Sequence, residues 1–257
     1  MNHVVTYLLW GAVQGLTEFF PVSSSAHLVF LSQILPFDGG NNLLFFTSLH
    51  FGTLIALLFF FRKRIISIIS SLSNPSQRSL LVNIAIGTLV SGVVAFVLKD
   101  LSELLSQQAR YTAGILGAMG LFLLVGRFLP EGQKDEREFH WGIAILFGLV
   151  QGIAVFPGIS RSGTTILLLL ALGFRRDVGF ELSFLTGIPI VFLAFAYELL
   201  KYGGAFSPWY FVGMVSSFIF GVAALRFLRF MVIKGQLYWF GIYCLVASSL
   251  ACVLFPR

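Results

Sequence analysis

Charge is what this sequence has least of. Of its 257 residues, 11% are charged and 57% are apolar, whereas a soluble domain carries roughly 25% charged residues. So few charges cannot cover the surface of a soluble protein of this size. That excludes a soluble globular enzyme, a disordered chain and a nucleic-acid-binding protein, and leaves a polytopic membrane protein. Cysteine is nearly absent. The two present, Cys244 and Cys252, are separated by about 12 Å of helical rise on one apolar stretch, too far for a disulfide, and so say nothing about redox compartment. The N-terminus, MNHVVTYLLWGAV, lacks both a basic region and a small-residue cleavage site, so no cleavable signal is expected. Acidic residues are outnumbered 11 to 17, for a net charge of +6. In a membrane protein that surplus belongs to the loops that set orientation, and no nucleic-acid partner is expected.

Long apolar runs are plentiful. Six are long enough to cross a bilayer, which takes about 20 apolar residues: residues 43–61, 80–98, 111–129, 180–200, 207–225 and 237–255. Two other apolar regions are interrupted. Residues 4–20 and 27–36 flank Pro21-Val22-Ser23-Ser24-Ser25, and residues 140–156 and 164–174 flank Pro157-Gly158-Ile159-Ser160-Arg161-Ser162-Gly163. Proline, glycine and serine runs end helices, and the second arm of each pair is too short to cross. Both are read as re-entrant helix–break–helix hairpins.

The basic residues agree with this reading. With two re-entrant hairpins, Arg62, Lys63, Arg64, Arg78, Arg127, Lys134, Arg137, Arg175, Arg176, Arg226, Arg229 and Lys234 all fall on one side, and Lys99, Arg110, Lys201 and Arg257 on the other. The positive-inside rule makes the first side cytoplasmic and puts both termini outside. Turning either hairpin into a full crossing would spoil the bias.

The two broken regions also resemble each other. Gly11, Gln14 and Gly15 match Gly148, Gln151 and Gly152, and Ser23 and Ser25 match Ser160 and Ser162. Each copy precedes three spans. The whole chain, 1–257, is therefore read as a single membrane domain, all-α, built as an inverted-topology repeat of about 1–130 and about 138–257. Sites in such architectures lie where the broken elements meet near the midplane. Non-helical backbone at membrane depth must be buried in protein or face water, so the two serine-rich breaks should line one cavity. The first would bring Gln14, Glu18, Ser23, Ser24, Ser25 and His27; the second would bring Ser160, Arg161, Ser162, Thr164 and Thr165.

Arg161 is the sharpest feature. An arginine at membrane depth costs roughly 3 kcal/mol or more and needs a partner or a ligand. Its fork suits phosphate oxygens, and the helix beginning beside it presents free N–H groups. The site reads as an anion site, most naturally for phosphate; a structural ion pair with Glu18 is the alternative, and both roles can coexist. Gln14 and Glu18 share a helix face. Glu18 has three open roles: divalent-cation ligand, base, or counter-charge to Arg161. Ser24 and His27 form a nucleophile–base pair by residue type and are equally common as neighbours on a helix start. His50, inside an apolar span, either bonds within the core or reaches the cavity. Glu198 and Lys201 sit at a span end. Gly213, Ser217 and Gly221 recur every four residues and read as close helix packing.

GAVQGLTEFFPVSSSAHL (11–28) resembles the first signature of the bacterial undecaprenyl pyrophosphate phosphatase family, also called bacitracin-resistance proteins. PGISRSGTT (157–165) is similar to its second, and the likeness continues through RRDVGFELSFLTGIPI (175–190). The resemblance implies removal of the terminal phosphate of undecaprenyl pyrophosphate, the recycled lipid carrier for peptidoglycan precursors. It also implies dependence on a divalent cation, Mg²⁺ or Ca²⁺, and a site facing the periplasm from the bacterial plasma membrane. Carried over by motif, Glu18, Ser24, His27 and Arg161 are the catalytic group, with Ser24 the proposed nucleophile. Ser160 binds phosphate, with Ser162 and Thr165 nearby, and Glu18 is the metal-binding residue. Gln14 stands where some members have glutamate, so a cation would bridge Glu18 and the substrate's phosphates rather than two carboxylates. The partners implied are a polyprenyl pyrophosphate lipid and the bilayer; a homodimer stays open. A transporter or flippase for an anionic lipid or small anion is the alternative, because many carriers use the same inverted architecture.

Overall fold

The computed structural model describes residues 3–35, 42–106, 108–202 and 207–255. Among them are ten α-helices: α1 (His3–Phe19), α2 (Ser24–Ile34), α3 (Asn42–Ser70), α4 (Pro75–Ser106), α5 (Ala109–Leu124), α6 (Trp141–Ile153), α7 (Arg161–Ala171), α8 (Arg176–Tyr202), α9 (Pro208–Ile233) and α10 (Tyr238–Leu254). Arg257 and the side chain of Glu198 lie outside the described residues. Five helices (α3, α4, α5 with its 3₁₀ extension, α8 and α9) are long and apolar enough to cross a membrane. The sixth expected span, α10, has 17 residues, at the short end of what a bilayer requires. The chain is an all-α, multi-pass membrane protein.

Several helices outrun the apolar stretches that predict them. α3 continues from the expected end at residue 61 through Arg62, Lys63 and Arg64 to Ser70. Helical backbone satisfies its own hydrogen bonds, so nothing forces it to stop where lipid does. The extension lets Arg64 pair with both Glu136 and Glu181. Gln77, at the start of α4, donates to Glu136, and Arg176 pairs with Glu131 at 2.9 Å. The basic residues expected on one side thus converge at one end of the bundle.

Both broken regions turn back. The connection before α6 and the connection after α7 meet directly: Lys134 N–H donates to Gly173 O at 3.0 Å, and Arg175 N–H to Lys134 O at 3.1 Å. The α6–α7 unit therefore returns to the side it left. α1–α2 does likewise, since Leu28, Leu31 and Leu35 of α2 and its C-terminal edge pack on the cluster containing Tyr7 and Trp10.

Small residues set the packing. A Cβ at Gly11 would lie 2.3 Å from Gly213 O, and one at Gly15 2.5 Å from Ser217 O, so α1 lies backbone to backbone on α9. A Cβ at Gly148 would lie 2.7 Å from Gly87 O, and one at Gly152 2.5 Å from the Val94 Cβ, so α6 lies equally close on α4. The hydroxyls of Ser216 and Ser217 donate to Leu8 O and Leu49 O, both at 2.8 Å. Without a hydrophobic force between helices in lipid, such close approach and polar bonding hold a bundle together. Cys244 is buried and Cys252 exposed, both as free thiols.

Candidate active site at the hairpin tips

The tips of the two hairpins touch. α1 stops before Pro21. Ser23 then turns the chain with φ 63° and caps α2, its hydroxyl oxygen accepting from Ala26 N–H. Positive φ is unusual for a residue with a side chain. Its return is contact with the other tip: Gly158 N–H donates to the same Ser23 oxygen at 3.0 Å. Ser160 caps α7 through Gly163 N–H at 3.1 Å, and Ser162 reaches across to donate to Phe19 O at 2.8 Å. A Cβ at Gly163 would lie 2.9 Å from the Pro21 Cβ, so a glycine is what lets the tips meet.

Glu18 sits at the centre of this contact, its side chain 10% exposed, and Arg161 donates to its Oε1 at 3.1 Å. Ser24 Oγ donates to Oε2 at 2.7 Å. Gln14 Nε2 donates to Oε2 at 3.1 Å and also lies 3.0 Å from His50 Nδ1. Both oxygens of the one carboxylate are therefore engaged by donors from α1, α2 and α7. Arg161 Nη1 has only a long bond, 3.4 Å, to Gly187 O, which leaves donor capacity on its outer edge.

Glu18, Ser24 and Arg161 line a cavity of about 670 Å³ together with Ser23, Ser25, His50, Gln151 and Ser160. Its mouth carries Lys99 and Glu103 of α4 and Tyr197 of α8. The Lys99 ammonium lies 3.6 Å from Glu103 and 3.4 Å from the Tyr197 hydroxyl.

Of the residues singled out in the sequence, Glu18, Ser23, Ser24, Ser25, Ser160 and Arg161 share this cavity, and Gln14 lies behind Glu18, fully buried. His27 is placed differently from its expected role. Its Nδ1–H donates to Ser23 O at 2.8 Å, and its Nε2 accepts from the Tyr243 hydroxyl at 2.8 Å, with the two rings stacked. The bond to Ser24 that a base would make is instead made by Glu18. Three of the expected phosphate-side residues also turn to structural work. Thr165 bonds Arg161 O and Ser183 Oγ, Thr164 bonds Ser160 O and Arg161 O, and Ser162 bonds Phe19 O. None of these three lines the cavity.

Two further residues enter the site: one whose place the sequence left open between core and cavity, and one that it did not assign. His50 is there through its contact with Gln14. Gln151 is 4% exposed; its Nε2 donates to Ser91 Oγ at 2.8 Å, and its Oε1 has no partner. A Cβ at Gly187 would lie 3.1 Å from Arg161 Nη1 and 3.8 Å from Gln151 Oε1, so Gly187 keeps open the space that both face. The match of Gln14 with Gln151 was the available signal.

A buried carboxylate holding a serine hydroxyl and a guanidinium, beside a cavity of about 670 Å³ in a bundle of apolar helices, defines an intramembrane protein with a site suited to a phosphate or phosphoester. The chain belongs to the bacitracin resistance protein BacA family, whose model matches residues 7–250. It is similar to undecaprenyl-diphosphatases from Methanococcus vannielii (31% identical, covering 94% of this chain and 96% of the relative), Halothermothrix orenii (32%, 95% and 95%) and Desulfatibacillum aliphaticivorans (33%, 98% and 98%).

Proposed function

We propose that this protein hydrolyses undecaprenyl pyrophosphate to undecaprenyl phosphate and inorganic phosphate, with Ser24 as nucleophile and Glu18 as its base. The observation that carries the reading is the 2.7 Å bond from Ser24 to a carboxylate that also holds Arg161. The outer edge of Arg161 takes the terminal phosphate. Glu18 accepts the Ser24 proton as Oγ attacks phosphorus in line. The bond from phosphorus to the bridging oxygen breaks, and undecaprenyl phosphate leaves with that oxygen. Water then cleaves the phosphoserine, returning the proton and releasing phosphate. His27 keeps its place as a positioning residue, tying the first turn of α2 to Tyr243.

The residues present fit a divalent cation of a particular kind. Among the described residues there is no cluster of three acidic, histidine or cysteine side chains, and Glu18 is already engaged. Gln151 lines the cavity, and its buried Oε1, a hard oxygen, has no partner. Glu18 and Gln151 would therefore hold a Mg²⁺ or Ca²⁺ that the pyrophosphate itself largely coordinates. Such a cation supplies neutralisation of charge between the phosphates.

The two halves form an inverted repeat. The pairings of α1 with α9 and of α6 with α4 support it, because each uses the glycine pair that the two halves share. The cavity faces outside the cytoplasm. Its mouth carries Lys99, on the side poor in basic residues, while the Arg64–Glu136–Glu181 and Arg176–Glu131 pairs lie at the end rich in them.

The test is release of inorganic phosphate from undecaprenyl pyrophosphate by the purified protein in detergent, where there are no two sides for transport to act across. Wild type releases phosphate. Arg161→Ala, still monodisperse and with a thermal transition, loses at least about a hundredfold. Near-normal turnover of that variant removes Arg161 from the mechanism, and no release by wild type removes the phosphatase reading.

A further inference from the structure

The polar cavity does not end in polar surface on every side. It adjoins a second recess of about 660 Å³ between α4 and α8. Gly92, Phe96 and Leu193 line both, so the two share a wall there. The second recess is apolar. Its walls include Leu81, Leu89, Val93 and Val97 of α4 with Pro189 and Leu193 of α8. Its only hydroxyl, on Thr88, is already spent on Ile84 O at 2.8 Å. Among the described residues no charged one lines it. Pro189 lies inside α8 and lines the recess, and a proline there removes one of the helix's own hydrogen bonds.

We propose that this α4–α8 groove binds the polyisoprenoid tail of the substrate whose pyrophosphate occupies the cavity. The inference rests on the phosphatase reading and extends it. A tail covalently tied to a headgroup held by Arg161 must leave the cavity through its apolar wall, and Gly92, Phe96 and Leu193 are where that wall opens. Gly92 makes the junction passable: a Cβ there would meet nothing nearer than Ile190 Cδ1 at 3.8 Å, so the backbone of α4 itself floors the passage. From Val97 to Leu81 the groove follows α4 for about 24 Å, most of the roughly 30 Å thickness of the hydrocarbon layer. A long tail fills it; a short one occupies only the end near Phe96.

The test compares two substrates on one protein. kcat/KM is measured in mixed micelles for undecaprenyl and for farnesyl pyrophosphate, with wild type, Ala85→Trp and Leu89→Trp, which fill the groove away from the cavity. Val82→Trp serves as control; Val82 is an exposed α4 residue outside the groove. The ratio of the undecaprenyl to the farnesyl value falls about tenfold in the two groove variants, through KM, and holds in Val82→Trp. An unchanged ratio in both groove variants, or an equal fall in the control, overturns the proposal and leaves the phosphatase reading standing. Failure of wild type on both substrates overturns both. If the tryptophan variants do not fold, a polyprenyl pyrophosphate with a photoreactive group in its tail is crosslinked to wild type: labelling within 81–97 or 189–193, competed by unlabelled substrate, supports the groove, and labelling elsewhere overturns it.

Discussion

At the scale of single residues, the site turns on how many donors one carboxylate satisfies. Glu18 receives Ser24, Gln14 and Arg161 at once. Replacing it with glutamine keeps the shape but swaps an acceptor for a donor facing Arg161, and turnover should fall by about 10³-fold. Ser24→Ala should fall comparably, and rapid acid quenching of wild type should trap phosphate on Ser24; a clean quench with no label would shift attack to water. His27 gives the opposite kind of forecast. Both of its ring nitrogens are committed, one to Ser23 O and one to Tyr243. Tyr243→Phe should therefore reproduce part of the His27→Ala loss, about tenfold or less, and a melting curve should show the same instability in both. If His27→Ala alone abolished turnover while Tyr243→Phe were silent, a direct chemical role would be the better account. The sequence made Glu18 and Arg161 visible, because an ionisable residue at membrane depth is expensive and has few reasons to be there; Ser24 was visible through the serine-rich break and the family resemblance. It could not separate His27 from Ser24, three positions away on a helix start. The true partner of the ring comes from α10, 216 positions on. His50 was left open between core and cavity, and Gln151 was missed, for the same reason: their partners, Gln14 and Ser91, are 36 and 60 positions away.

At the scale of elements, the breaks matter more than the helices they interrupt. Ser23 holds φ 63° while its hydroxyl serves Ala26 N–H, Gly158 N–H and Ser25. Strain and bonding can be separated there. Ser23→Gly relieves the backbone and loses the bonds; Ser23→Ala loses the bonds and keeps the strain. Alanine should destabilise by about 1 kcal/mol more than glycine, read as the difference in melting or denaturant midpoint, and both should slow turnover because Ser24 is the next residue. Equal stabilities would mean that the left-handed turn costs nothing in this setting. The proline–serine breaks themselves were legible, since proline and glycine in an apolar run have few other uses. The boundaries of α3 and α4 were not: hydropathy marks where lipid ends, and these helices run on to place Arg64 and Gln77 beside Glu136.

For the whole molecule, the question is which face opens to which compartment. α4 makes it testable in one element, because Arg78 stands near its start and Arg110 just beyond its end. The start of α4 joins the ion-paired end of the bundle through Gln77, and its last turns, at Lys99 and Glu103, form the mouth of the cavity. The positive-inside rule predicts that the first end is cytoplasmic. In a Cys252→Ser background, which leaves only the buried Cys244, a membrane-impermeant maleimide added to intact cells should label Arg110→Cys and leave Arg78→Cys unlabelled until the membrane is permeabilised. Because α4 is the one long apolar helix between them, the two labels must swap together if the orientation is wrong. Labelling of both from outside would mean that the chain takes two orientations. Labelling of Arg78→Cys alone would place the cavity in the cytoplasm, where Ser24 and Arg161 would meet newly made rather than recycled lipid pyrophosphate.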